Sequence, residues 1–415
     1  MKNQRSVSFL PRLFLWASAV GVAGFYAVMW QRTAPGGVAS GSTLHQLPDS
    51  DTNNNPMVSV IVPARNEERN IRRCVTSLLE QDYSNYEVIV VDDNSSDATA
   101  SILEELAQQH PHRDRLYVLR LRDLPAGWAG KPHALHAGSQ EAHGEWLLFT
   151  DADTWHAPAA LRTSVNEAQV RDLDFLTLGT QQELTSFWER VTMPMAYLGI
   201  GMLYPPKLVN DPKSKLAIAN GQYIMLKKAA YEKLGGYARP ELRATLLDDR
   251  DLAVIAKANG LRMLFADGRS LVHVHMYDGL QEIWRGWRKN AFLGNRGGLP
   301  FLLLQLFGLP MVTIVPFLLP LFGKLPRGRK GVPPVGQMEA NAATALALTP
   351  LLAYRLWENQ ELQVPWYYAL THPLAGAIFE GILSQSTWRV LTRKGVDWRG
   401  REYYTRDSQP LAEKK

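Results

Sequence analysis

Three short apolar runs, each closing on a cluster of polar or acidic residues, constrain this chain more than any other feature. Val58-Ser59-Val60-Ile61-Val62 leads into Pro63-Ala64-Arg65-Asn66-Glu67. Glu87-Val88-Ile89-Val90-Val91 ends at Asp92-Asp93, and Trp146-Leu147-Leu148-Phe149-Thr150 ends at Asp151-Ala152-Asp153. Short runs rich in β-branched and aromatic residues fit buried strands. Between them Ile71, Val75, Leu78 and Leu79 recur at helical spacing. Ile102, Leu103 and Leu106 mark a second helix, which Ser95, Ser96 or Asp97 can cap. Residues 116–121 read as a further strand. Strands alternating with helices predict a largely parallel sheet covered on both faces. Such sheets bind ligands beyond the carboxyl ends of their strands, where these polar clusters fall.

Asp151 and Asp153 stand one residue apart at the exit of a buried strand. Side chains at i and i+2 of an extended chain point the same way, so both carboxylates can face one site. A hard divalent cation, Mg2+ or Mn2+, relieves their repulsion and commonly takes phosphate oxygens as its other ligands. A solvated Asp-rich turn is the plain alternative, and the convergence of three strand-end clusters outweighs it. Asp248, Asp249 and Asp251 form a second acidic cluster, ahead of a short helical face at Leu252, Ile255 and Ala256 that Gly260 stops. Acids in a first helical turn are stabilised by the helix dipole, which is the structural reading of that cluster.

The chain has 415 residues and one cysteine, Cys74, which excludes an intrachain disulfide. It shows no zinc-ligand spacing, Walker loop or internal repeat. The net charge is +5, and the excess base lies at the N-terminus, at residues 324–330 and at residues 389–406. Basic clusters beside apolar runs point to an anionic lipid bilayer and away from nucleic acid. Residues 13–30 are an uncharged apolar run of 18, long enough for a transmembrane helix. Lys2, Arg5 and Arg12 precede it, so a signal peptide is the rival reading; the run is long for a signal core, and no small-residue cleavage site follows at once. Residues 299–323 carry no charge but hold Pro300, Pro310, Pro316 and Pro320, which suit a span or a kinked re-entrant segment sheltered by protein. Residues 340–354 are a marginal span, and residues 362–379 a better one. The expected division is an N-terminal membrane anchor (1–32), a flexible linker rich in Gly, Ser, Asn and Pro (33–56), an α/β domain (57–298), two or three membrane-associated helices (299–388) and a basic tail (389–415). Lys324, Arg327, Arg329, Lys330 and the tail are expected in the cytoplasm.

The ordered set from Val58 to Glu67, from Val90 to Asp97, and Asp151-Ala152-Asp153 resembles family 2 glycosyltransferases of the GT-A (nucleotide-diphospho-sugar transferase) fold. The resemblance covers roughly residues 58–298. Within that family, Gly127-Trp128-Ala129-Gly130-Lys131, Leu203-Tyr204-Pro205 and Asp248-Asp249 are similar to the branch with hopene-associated and carotenoid glycosyltransferases, and more distantly to ceramide glucosyltransferases. The resemblance implies a nucleotide-sugar donor and inversion at the anomeric carbon.

Carried over by position, it implies that Pro63, Ala64, Arg65 and Glu67 line the nucleotide pocket and that Asp93 accepts a hydrogen bond from uracil. Helix capping is the other role open to Asp92 and Asp93. Lys131 would reach the diphosphate as a point charge. Asp151 would sit near the ribose and the metal, and Asp153 would ligate the ion. Asp249 would take the acceptor proton; Asp248 departs from the Glu more usual before it. Arg285 and Arg288, one helical turn apart, would clamp diphosphate oxygens. Lys289 stands where Trp is usual, and an interfacial helix is the alternative reading of this stretch. His273 and His275 alternate on a probable strand; either can complete a metal shell, His275 being the candidate ligand, although a hydrogen-bonded histidine is the simpler role.

These readings together predict a metal-dependent enzyme of the cell membrane, multi-pass, with its catalytic domain facing the cytosol, where donor is supplied. The positive N-terminus argues for the opposite orientation of the anchor. The expected reaction moves a sugar from a nucleotide donor, first choice a uridine diphosphate sugar, to a hydroxyl of a membrane lipid acceptor. A carotenoid or hopanoid-type isoprenoid is the first choice of acceptor, and a glycerolipid or sphingoid lipid the second. A processive polysaccharide synthase and a non-catalytic GT-A-like scaffold are the rivals.

Overall fold

The computed structural model describes residues 6–33, 44, 55–294, 298–326, 334–392, 396–398 and 401–403. Lys2, Arg5, Arg327, Arg329, Lys330, most of the expected linker and most of the basic tail lie outside the described residues. The chain divides into two compact units. A sheet-bearing unit takes Ala39–Glu183, Pro206–Met276 and Gly395–Lys415; a helical unit takes Met1–Val38, Leu184–Pro205 and Tyr277–Lys394.

In chain order the first ten strands of this unit are β1 (Val58–Ala64), β2 (Tyr86–Asp93), β3 (Leu116–Leu121), β4 (Trp146–Phe149), β5 (Thr154–His156), β6 (Phe175–Gly179), β7 (Gln181–Gln182), β8 (Ile224–Lys227), β9 (Met263–Asp267) and β10 (Val272–Val274). Seven of them form one sheet in the order β3-β2-β1-β4-β8-β6-β9, and β5, β10 and β7 form a small second sheet. The first four strands of the large sheet are parallel, as the alternation of strands and helices predicts. β8 is antiparallel to both β4 and β6, so the sheet is mixed. An antiparallel strand can enter from the edge where its neighbours end, without a helical crossover. Here Ile224, the first residue of β8, pairs with Phe149, the last of β4. The turn before β8 therefore lies at the carboxyl edge of the parallel strands, beside Asp151.

Alternation along the strands sorts their side chains onto two faces. Val58, Val60, Val62, Val88, Val90 and Leu148 pack on one side, with Ile71, Cys74, Val75, Leu78 and Leu79 of the helix Ile71–Leu79. Ile61, Ile89, Val91, Leu147 and Phe149 pack on the other, with Ala134 and Leu135 of the helix Gly130–Gln140. Full burial of one such aliphatic side chain contributes roughly 1.5–3 kcal/mol. The second helix lies so close that a Cβ at Gly138 would meet Ile61 Cγ2 at 2.6 Å. The helix Thr99–Gln109 has Ala98 at its N-cap; Asp97 Oδ1 accepts the Thr99 N–H at 3.0 Å, while Ser95 and Ser96 turn to Asn66 instead of capping.

In the helical unit, Ser6–Thr33 buries Leu15, Ala19, Val22, Tyr26 and Met29, a stripe at spacings of four and three that packs against neighbouring helices. Tyr26 Oη lies 2.9 Å from His372 Nε2, and Thr33 Oγ1 3.1 Å from Tyr354 Oη. Among the described residues one helix, Leu10–Thr33, is long and apolar enough to cross a membrane. Gln305–Thr313 and Val315–Lys324 pass that test only as a pair, bent by 48°. The break falls beside Pro316, whose ring removes a backbone donor and disfavours the helical conformation just before it. Residues 362–379 do not form the single helix expected of them. Pro365 precedes a 3-10 turn at Trp366–Thr371, and the next helix, His372–Leu391, starts with Pro373 in its first turn. Residues 340–354 lie within the helix Gln337–Glu361, which does not pass the same test for a span. Among the described residues, the exposed large apolar side chains other than Tyr117, Val170, Leu208 and Val254 belong to this unit.

Candidate active site

The carboxyl edge of the large sheet gathers most of the residues that the sequence singles out. Two loops are knitted together there first. After β1, Asn66 takes a left-handed conformation (φ 54°), which Asn tolerates better than most residues. Its N–H donates to Ser95 Oγ at 3.0 Å and its Oδ1 accepts the Ser96 N–H at 2.8 Å. Glu68 N–H donates to Asp97 Oδ2, and Ala98 N–H to Glu68 Oε2. Glu67 is buried; its carbonyl accepts the N–H groups of Asn70 and Ile71 and so starts the helix behind it. Pro63 and Ala64 close β1 beside this pair of loops. Arg65 Nη1 donates to the Asp93 carbonyl at 2.8 Å and stands 3.8 Å from its carboxylate. Asp92 Oδ1 instead accepts the Ser95 N–H, so the two acids divide their roles: Asp92 holds the turn and Asp93 faces Arg65.

The centre of the site is Lys131, in the first turn of the helix Gly130–Gln140. Its Nζ lies 2.6 Å from Asp151 Oδ1 and 3.6 Å from Asp248 Oδ2. A cation at the positive end of a helix is unfavourable unless anions offset it. Burial works to lower the Lys131 pKa, but Asp151, Asp248 and Asp249 outweigh it and hold the amine protonated far above its usual range. With 34% of its side chain accessible, the amine can still meet an incoming anion. The acid just after β4 and the acidic pair at the start of Asp248–Ala258, far apart in the chain, thus share one lysine.

Asp249 is held at both oxygens: Oδ1 accepts the Arg250 N–H at 2.7 Å and Oδ2 accepts the Gly221 N–H at 3.2 Å. Asp251 is committed elsewhere. Its Oδ1 receives Arg250 at 2.7 Å and its Oδ2 receives Thr245 Oγ1 at 2.7 Å. Asp153 lies on the turn between β4 and β5, and its carbonyl accepts the His275 N–H at 3.3 Å. His273 faces Trp155, stacked at 4.2 Å, and Trp155 Nε1 donates to Glu183 Oε1 at 2.8 Å. Among the described residues no three His, Cys, Asp or Glu side chains are grouped so as to hold a metal ion, and the trio Asp151, Asp153 and His275 is not assembled as such a group. Cys74 lies beneath this turn, with Sγ 3.7 Å from the Asp151 carbonyl, and burial raises its pKa well above the usual thiol range.

Arg285 and Arg288 belong to the helical unit, on the helix Leu280–Gly294. Arg285 is exposed, whereas Arg288 is partly buried and donates to Gln385 Oε1 at 3.2 Å beside Trp284. The residues that sequence reasoning missed are Thr150, Asn220, Gly221 and Gln222. The available signal was Asn220-Gly221, a turn dipeptide directly before an apolar run.

Residues 59–235 match the family model described as Glycosyl transferase family 2. Over 368 residues the chain is 25% identical to 4,4'-diaponeurosporenoate glycosyltransferase of Staphylococcus aureus (strain N315), a similarity that spans 86% of this chain and 92% of that protein. Among solved structures, the mannosyltransferase PcManGT from Pyrobaculum calidifontis, in complex with GDP-Man and Mn2+, superimposes with a TM-score of 0.50 at 21% identity, covering 91% of this chain and 98% of that one. The mixed α/β fold is GT-A-like, and residues 59–235 are similar to family 2 glycosyltransferases. The chain's similarity over most of its length is to the carotenoid branch of that family.

Proposed function

We propose that this enzyme transfers a sugar, with inversion, from a uridine diphosphate donor to a hydroxyl of a membrane lipid. The observation that carries the reading is the meeting of Lys131 with Asp151 and Asp248 at one sheet edge, next to Asp249. Arg65 and Asp93 would contact the nucleoside, and Lys131 its diphosphate. Asp151 and Asp153 offer hard oxygen donors, which suit Mg2+ or Mn2+; such an ion needs only one or two carboxylates when phosphates supply the rest. When bound it would neutralise the leaving diphosphate as a Lewis acid. The Mn2+ of the mannosyltransferase complex supports this choice of cofactor.

The acceptor oxygen attacks the anomeric carbon as the bond from that carbon to the diphosphate breaks. The acceptor proton passes to the Asp249 carboxylate, and the nucleoside diphosphate leaves. Asp249 is aimed for this by two backbone N–H groups, and each of its oxygens keeps a lone pair for the incoming proton. Lys131 balances the charge on the leaving group.

The apolar surface of the helical unit and the helix Leu10–Thr33 support attachment to a bilayer. Arg285 and Arg288 remain candidates for the diphosphate clamp. A carotenoid or hopanoid-type isoprenoid is the acceptor that the 25% identical relative favours. The name of that relative describes a carboxylate substrate, which favours a second reading in which the acceptor is a lipid carboxylate and needs no base. Incubating the purified enzyme with labelled uridine diphosphate sugars and a lipid extract of its host tests the proposal. Label should enter the organic phase, in a product absent from extracts of a deletion strain. Release of free sugar alone, or no turnover of any donor, would end it.

A further inference from the structure

We propose that the turn 220–222, with the buried polar side chains beneath it, is the platform that holds Asp249 in register with Asp151. Asn220, Gly221 and Gln222 are then positioning residues of the transfer. The inference rests on the reading of Asp249 as the base.

Gly221 lies against Lys131, Asp151 and Asp249. Its N–H donates to Asp249 Oδ2 at 3.2 Å. A Cβ at this position would meet Lys131 Nζ at 3.0 Å, Asp249 Oδ2 at 3.4 Å and Asp151 Oδ2 at 3.5 Å. Its backbone is not in the left-handed region, so space, and not conformation, is what calls for glycine here.

The turn is fixed from below by groups that bond to one another. Asn220 N–H donates to Thr177 Oγ1 at 2.9 Å, and Asn220 Nδ2 donates to Gln222 Oε1 at 3.2 Å. Thr180 Oγ1 also donates to Gln222 Oε1, and Gln182 Nε2 donates to Thr180 Oγ1 at 3.1 Å. Gln222, Thr177, Thr180 and Gln182 are all buried. Thr150, the residue before Asp151, donates through its Oγ1 to the Gln222 carbonyl at 2.8 Å. One network therefore fixes both the strand end that carries Asp151 and the turn that holds Asp249. Apolar side chains could fill the same space, but buried groups that bond to one another specify one geometry. The small displacements it prevents are the kind that cost rate: misplacing a reacting group by about 1 Å can cost about a hundredfold.

The test uses the full-length enzyme with Thr180→Val and Gln222→Met, which keep volume and remove hydrogen bonds. Each is made alone and in an Asp249→Asn background. In the wild-type background kcat should fall about ten- to a hundredfold, while the donor KM moves less than about twofold. Thr180→Ser, which restores the hydroxyl, should recover most of the loss. In the Asp249→Asn background neither substitution should lower the residual rate further, because the network acts through Asp249. An equal loss in both backgrounds would overturn the proposal. So would a lowered Tm with kcat intact, or a rise in donor KM alone. If Asp249→Asn by itself leaves transfer intact, the base assignment has failed, and that result is read independently of the network.

Discussion

Replacing Lys131 with Gln removes the cation that lies between Asp151 and Asp248, at 2.6 and 3.6 Å. In the free enzyme the loss is partly offset, because the carboxylates reach water through the same opening that leaves 34% of the lysine side chain accessible. The larger effect falls on the donor, whose diphosphate would approach several carboxylates with no counter-charge from this helix. Unit charges about 4 Å apart interact by about 1 kcal/mol in bulk water and about 4 kcal/mol at a protein surface. A partly open site lies between these limits, so about 2 kcal/mol is expected, or roughly a thirtyfold loss of donor affinity. Titration calorimetry with uridine diphosphate measures it directly. Wild-type affinity should also weaken more steeply with salt than that of Lys131→Gln, since the variant has lost an exposed charge to screen. Unchanged affinity in a folded Lys131→Gln protein would refute the placement of the diphosphate at this helix.

Three further outcomes follow from the same geometry. Asp153→Ala should keep the fold and abolish transfer, and a chelator should silence the wild type; full activity in chelator would remove the cation from the mechanism. Arg73, opposed by desolvation and helped by Trp155, depresses the Glu183 carboxyl from 4.5 to about 2. A depressed carboxylate contributes stability that is present above its unfolded pKa and is lost as pH falls through its folded one. Thermal stability should therefore decline between about pH 4.5 and pH 2, by about 1–2 kcal/mol after allowance for solvent exposure. Glu183→Gln should flatten that decline, and an identical acid limb in the variant would count against the pairing. Cys74 should resist a maleimide reagent in the native protein and react only on unfolding, because it is fully buried; rapid labelling of folded protein would contradict the packing beneath Asp151.

Much of this site can be read from residue order alone, because strand ends are marked by composition. Runs such as Val58 to Val62 are too apolar to lie anywhere but in the sheet, so the polar residues after them must line its edge. The antiparallel β8 is less visible. Its direction is set by where the chain enters the sheet, and a sequence of four residues does not encode that. The separate duties of Asp249 and Asp251 depend on the neighbouring Thr245 and Arg250 and on Gly221, which only the fold brings to Asp249. Backbone N–H groups carry part of that distinction, and no side-chain pattern records them. The C-terminal helices are less legible for a different reason. Apolar residues at 362–379 suit a protein interior as well as a bilayer, and the prolines at 365 and 373 divide them. The membership of Leu184–Pro205 in the helical unit has a local trace, the capping box of Ser186 and Glu189 that starts the helix Phe187–Leu203, but nothing in it tells which unit the helix joins.

The most direct test of the account is Asp249→Asn, measured for both donor binding and transfer. The substitution keeps the shape of the side chain and its place at the start of Asp248–Ala258. Donor contacts are assigned to Arg65, Asp93 and Lys131, so calorimetry should return near-wild-type affinity. Transfer of labelled sugar into lipid should fall about 100- to 10,000-fold, the usual cost of losing a general base. Near-normal transfer with donor still bound would contradict the base assignment and favour an acceptor that arrives already ionised, as a lipid carboxylate does.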